Sequence, residues 1–165
     1  MGFSLGFYPI QGSDLGDADR EQLREFLTSR GLGVHPDSSG LFHVENGEPL
    51  AFDGAWSDLT LDPLDHPEPV TGALSHATLT EAECTFVFEM CTVGKLMIVN
   101  LQGDPMYLGI AGIHTAEMFP DPADAVWIDS PAALASALGA SFGDFQSFRS
   151  RVIESHSDGG DSLAP

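Results

Sequence analysis

Residues 80–101 read TEAECTFVFEMCTVGKLMIVNL, and whether the first half of this stretch coils or extends decides the fold. Thr80-Glu81-Ala82-Glu83 has the form of a capping box, in which a threonine hydroxyl satisfies a free N–H of the first helical turn and a glutamate three residues on reaches back. Cys84, Val87, Phe88 and Cys91 then keep helical spacing up to Gly94, a natural stop. The competing reading is a strand, because Cys84, Phe86, Phe88 and Met90 also alternate and the segment holds Thr85, Val87, Thr92 and Val93. Cap and stop together favour the helix, which is therefore expected over 81–93. The following run, Leu96 to Leu101, is apolar almost throughout, as suits a central strand covered on both faces. Gln102-Gly103-Asp104-Pro105 turns it back into a second β-prone run, Met106 to Ile110.

Upstream, Phe3 to Ile10 reads as an opening strand ended by Pro9 and Gly12. A helix follows, capped by Asp14 or Asp17, with Leu15, Leu23, Phe26 and Leu27 on one face and Gly31 as its stop. Leu41 to Phe52 reads as a hairpin around Asn46-Gly47, the pair suited to a type I′ turn, with Pro49 pushing the second strand to an edge or bulge. From Asp53 to Leu74 the chain reads as an irregular acidic loop with Pro63, Pro67 and Pro69, and a loop of that length inside a domain is usually functional. Downstream, Ala125 to Ile128 is a short strand with Trp127 expected in the core, and Ser130-Pro131 opens a helix that stops near Gly139. A last helix from Ser141 places Phe145, Phe148, Val152 and Ile153 on one face. The expected fold class is α+β: a mainly antiparallel sheet of roughly five or six strands packed against three or four helices. Residues 1–155 are expected to form one domain, and 156–165, small and polar, a flexible tail.

Charge restricts partners more sharply than any motif restricts chemistry. The 165 residues hold 25 acidic and 6 basic side chains, a net charge of −19, on an ordinary hydrophobic fraction of 42%. Arg20, Arg24, Arg30, Arg149 and Arg151 all lie in the first and last expected helices, where Arg20 and Arg24 read as surface partners of Glu21 and Glu25. Between them Lys95 faces 17 acidic residues alone. Such a surface repels nucleic-acid backbone and anionic lipid and attracts basic proteins. No apolar run of about 18 residues suggests a membrane span. The N-terminus has no basic region ahead of its apolar stretch, and Gly6 stands where a myristoylation signal wants Ser or Thr, so a cytoplasmic protein is expected.

No catalytic motif stands out, and no cofactor is expected. His114 and Glu117, at i and i+3, are weak metal-ligand candidates that would need a helix to act together. His66 between Asp65 and Glu68, and His35 beside Asp37, read as solvated loop residues. Cys84 and Cys91, seven apart on a helix, have Cα atoms about 10 Å apart and read as buried free thiols. The nucleophile elbow, the phosphate-binding loop and the calcium loop are all missing from the sequence.

The candidate partner-binding residues are Asp53, Trp56, Asp58, Asp62, Asp65 and Glu68, an acidic stretch with an aromatic of the kind that anchors interfaces. Trp56 suits equally a partner anchor or a pin holding the loop to the core. In size, acidity and expected fold class the chain resembles in a general way the immunity proteins that neutralise bacterial toxins, a likeness of class rather than of motif. The leading expectation is a non-enzymatic binding protein, of immunity or inhibitor type, that covers a basic protein partner. Two alternatives stand beside it: an enzyme or small-ligand domain with a pocket between sheet and helices, and an acidic domain of a salt-adapted or high-GC organism whose charge serves solvation.

Overall fold

The structure, a computed structural model, describes residues 3–103 and 105–139. The deciding segment coils: Glu81–Gly94 is an α-helix, and the Thr80 side chain accepts from the amide of Glu83. In chain order the elements are β1 (Leu5–Tyr8), β2 (Ile10–Gln11), β3 (Asp14–Leu15), α1 (Arg20–Ser29), β4 (Leu32–Val34), β5 (Leu41–His43), β6 (Ala51–Phe52), β7 (Ala55–Trp56), β8 (Thr60–Leu61) and β9 (Gly72–Leu74). There follow α2 (Glu81–Gly94), β10 (Met97–Asn100), β11 (Tyr107–Ile110), 3-10 turns at Ala116–Met118 and Pro122–Asp124, and β12 (Ala125–Ile128). Residues 131–139 form α3, with the Ser130 hydroxyl accepting from the Ala133 amide at 3.0 Å.

Six strands make the main sheet in the order β12-β11-β10-β1-β9-β8. Every pairing is antiparallel except β11 with β12, so the fold is α+β with a mainly antiparallel sheet. All four residues of β10 are buried, as its unbroken apolar run requires. Period-two alternation sorts the strand side chains between two faces. Leu5, Phe7, Ile98, Leu108 and Ile110 join Leu23, Phe26, Val87, Met90, Leu134 and Leu138 of the helices in the main core. Met97 and Val99 point the other way, into a smaller cluster with Ile10 and Phe119.

The helices α1 and α2 meet closely because Gly94 has no side chain. A Cβ there would stand 2.8 Å from Leu23 Cδ2, and the Gly94 carbonyl accepts from the Asp19 amide at 2.9 Å. Gly94 is therefore a packing residue still inside the helix. Lys95, at φ +56, takes the left-handed position that closes it.

Several expectations are corrected. Leu15 lies not on α1 but in β3, half exposed, because Gly12 at φ +65 turns the chain into a small β2–β3 hairpin first. Asp19, rather than Asp14 or Asp17, caps α1 by accepting from the Gln22 amide. The Leu41–Phe52 return is a short hairpin: Phe42 stands opposite Pro49, the His43 amide donates to the Glu48 carbonyl at 2.8 Å and the Leu50 amide to the Leu41 carbonyl at 3.0 Å, while the other edge of β5 pairs with β4. Of Asn46 and Gly47 only the glycine takes a positive φ. Trp127 sits half exposed on the edge strand β12, its ring edge-on to Phe119 at 5.1 Å, rather than in the core. The expected helix from Ser141, with Phe145, Phe148, Arg149, Arg151, Val152 and Ile153, and the tail 156–165 lie outside the described residues.

Candidate functional site

Asp53 to Leu74 is not one irregular loop: it contributes β7, β8 and β9, joined by turns and a surface loop. Asp53 and Gly54, at φ +53 and +83, form the two-residue turn of a tight hairpin in which Phe52 pairs with Ala55 and Ala51 with Trp56. Those are the angles of a type I′ turn. Because neighbours on a strand face opposite ways, Phe52 and Trp56 part company. Phe52 lies 5.5 Å from the Phe86 ring of α2, whereas Trp56 points outward and is 78% exposed.

After Leu59 and Leu61, both buried, residues 62–71 close on themselves as a compact surface loop. Its neck is a reciprocal pair: the Asp62 amide donates to the Thr71 carbonyl at 2.9 Å, and Asp62 Oδ2 accepts from the Thr71 amide at 2.9 Å and hydroxyl at 3.2 Å. The interior of the loop is filled by Arg20 of α1. Its guanidinium donates to the carbonyls of Leu64 at 3.1 Å, His66, and Glu68 at 2.6 Å, while Nε donates to Asp17 at 2.8 Å. Asp17 also accepts from the Val70 amide, tying the far side of the loop to the same clamp. Burial draws the Asp17 pKa upward, but the Arg20 bond and the Val70 and Ala18 amides outweigh it and leave the carboxyl below its ordinary value. The surface pairing of Arg20 with Glu21 and Glu25 expected from spacing is thus replaced by a long-range one. Arg30 likewise reaches Glu89 on α2, at 2.9 Å.

The six candidate residues divide in two. Asp58 and Asp62 are committed within the chain, Asp58 accepting from the Ser75 and His76 amides and from His76 Nδ1. Asp53, Trp56, Asp65 and Glu68 are exposed, and among the described residues their side chains make no hydrogen bond or ion pair. His66 donates from Nδ1 to the Glu68 carbonyl at 3.1 Å rather than to a carboxylate, and His35 stacks on Phe42 at 4.2 Å.

His114 and Glu117 do not come together. Glu117 is exposed on a 3-10 turn, its own amide and the Thr115 hydroxyl holding its pKa below the ordinary value. His114 is buried, its Nδ1 accepts from the Ile110 amide at 2.9 Å, and among the described residues its Nε2 has no partner in hydrogen-bond geometry. No group of three His, Cys, Asp or Glu among the described residues is placed to hold a metal ion. Cys84 and Cys91 are buried and unpaired, burial and then the Glu83 charge pushing the Cys84 thiol up to about 11 and burial raising Cys91. Neither His66 nor His114 lines any of three open clefts found among the described residues.

Burial lowers the His114 pKa from 6.5, against a weaker upward pull from the Lys95 carbonyl. A proton on Nδ1 would also displace the Ile110 amide. The unfolded chain therefore binds this proton more readily than the folded one. Its contribution to stability is complete above pH 6.5 and is lost as pH falls from there through the lower folded-state value. Urea unfolding of the wild type at neutral pH and at about pH 5.5 should show a loss absent from His114→Asn, whose amide oxygen can still accept from Ile110. Repulsion among the carboxylates is common to both chains and cancels in the comparison.

No protein-family model matches the chain, and no curated protein or solved structure is significantly similar to it. Among the described residues no helix is long and apolar enough to cross a membrane.

Proposed function

We propose that this chain is a non-enzymatic, cytoplasmic binding protein that covers a basic protein partner with the surface running from Asp53 to Glu68. The exposure of Trp56 carries the reading. A tryptophan that pinned the loop would be buried, yet this one is 78% exposed at the end of a hairpin whose other face rests on α2 through Phe52. Large exposed aromatics on a rigid support are favoured interface anchors, because little conformational freedom is left to lose on binding. Asp53 lies at the hairpin turn, Asp65 and Glu68 on the clamped loop that follows β8, and a net charge of −19 adds long-range attraction for a cation-rich surface.

Immobilised full-length chain, incubated with lysate of its source cells at low salt, should retain a basic protein. Trp56→Ala with Asp53→Asn should reduce retention at least about tenfold, as expected for an anchor residue. Asp37→Asn with Glu45→Gln removes two charges elsewhere, one more than the Asp53 change, and should leave retention within about twofold. Equal losses in the two variants would mean that total charge, as in a salt-adapted surface, is all that acts.

A further inference from the structure

Along their outer side α1 and α2 leave a groove made of two adjoining clefts of about 460 and 470 Å³ that share Arg30 and Glu89. It follows α2 from Glu81 to Val93, about 18 Å at the rise of an α-helix. Its floor is aromatic. Phe26 and Phe88 line one cleft and Phe52 and Phe86 the other, with Phe86 edge-on to Phe26 at 5.3 Å. Its rim is acidic, with Glu25 on α1, Glu81 on α2 and Asp53 at the hairpin turn. Among the described residues none of these three carboxylates has a cationic partner.

Arg30 displays the chemistry this surface accepts. Its guanidinium lies 3.8 Å from the Phe26 centroid and donates to Glu89 at 2.9 Å. An aromatic face beside a carboxylate holds the apolar stem and the charged head of one side chain together.

We propose that this groove seats a basic amphipathic helix of the protein partner, its apolar face on the phenylalanines and its arginines or lysines against Glu25, Glu81 and Asp53. This rests on the reading of the partner as a basic protein and names its recognition element. The length suits about three helical turns, and an apolar floor between two helices is the usual bed for a third. Charge selects the occupant. A second copy would bring its own rim against this one, with −19 on each chain, and an anionic membrane would be repelled in the same way.

The test uses the full chain and a labelled synthetic peptide of about four helical turns with leucines on one face and arginines on the other. Fluorescence anisotropy at low salt should show binding that weakens at least about tenfold in Glu25→Gln/Glu81→Gln and in Phe88→Ser. The Asp37→Asn/Glu45→Gln variant should stay within about twofold. The glutamine pair lies on the exposed rim, so its result stands even if Phe88→Ser folds poorly. Three results overturn the proposal: no binding; equal binding of a scrambled peptide that cannot form an apolar face; or equal weakening by the remote pair. A wild-type dimer in sedimentation that Phe88→Ser dissociates would assign the groove to a second copy and overturn it too. Retention of a basic protein that depends on Trp56 while the peptide ignores the groove variants removes the groove proposal alone. The opposite pattern removes the hairpin reading alone.

Discussion

Glu83→Ala is expected to cost about 3–4 kcal/mol of folding stability, and Glu83→Gln less than about 1 kcal/mol. Glu83 is only 4% exposed, and its two oxygens accept three hydrogen bonds from the segment just before α2. Oε1 receives the amides of Thr78 at 2.9 Å and Leu79 at 3.0 Å, and Oε2 the Thr78 hydroxyl at 3.1 Å. Alanine would take the acceptor from two part-buried backbone donors, the amides of Thr78 and Leu79, the costly half of hydrogen-bond accounting. It would also free Leu79, which sits at φ +56, a conformation a branched side chain adopts only when its surroundings hold it there. Glutamine keeps one oxygen for both amides and can donate from its amide nitrogen to the Thr78 hydroxyl. Thermal unfolding reads the difference directly, since a loss of this size in a domain of this length lowers Tm by roughly 10 °C. Equal destabilisation by both substitutions would show that the negative charge, not the hydrogen bonding, is what the site needs.

Arg20→Met is expected to speed hydrogen exchange at Val70 and Thr71 at least about tenfold and to cost about 2–3 kcal/mol. The guanidinium satisfies three carbonyls of one loop and a carboxylate of its own helix terminus at once, which uses its planar fork in full. Arg20→Lys should recover little, because a single ammonium cannot reach carbonyls spread over Leu64, His66 and Glu68. Asp17 belongs to the same clamp. Its folded pKa lies below 3.8, so its contribution is present above that value and is lost only as pH falls through the lower folded one. The clamp therefore stays closed at neutral pH. Since Asp65 and Glu68 ride on this loop, Arg20→Met should also weaken partner capture without removing one acidic group. Unchanged exchange at Val70 and Thr71 would mean that the Asp62–Thr71 neck and the buried Val70 hold the loop unaided.

The elements that local chemistry specifies were legible in the residues. The Thr80 cap and the apolar run from Leu96 marked α2 and β10, although Glu83 reaches past Thr80 to the Thr78 and Leu79 amides, and the hairpin into β11 followed from the turn between them. What escaped was long-range. Nothing in the spacing of Arg20 and Glu21 announces that the arginine bonds carbonyls some 44 to 48 positions away. Trp127 occupies an apolar strand, but whether that strand is central or at the edge is a property of sheet order, and β12 is at the edge. One signal was present and outweighed: Asp53-Gly54 is as strong a hairpin marker as Asn46-Gly47, yet the surrounding acids and prolines suggested a loop. The candidate surface was visible as charge and one tryptophan. Its division into exposed residues and internal anchors, with Asp58 and Asp62 among the anchors, depends on hydrogen bonds that sequence distance conceals.

Hydrogen exchange on the full chain, with and without the basic protein it captures, tests partner binding by the 53–68 surface most directly. Added protection at 51–68, extending along the groove to α1 and α2 and absent from 32–46, is the expected result. Protection confined to 32–46 or spread evenly over the molecule, or stable capture that leaves 51–68 unchanged, would contradict it.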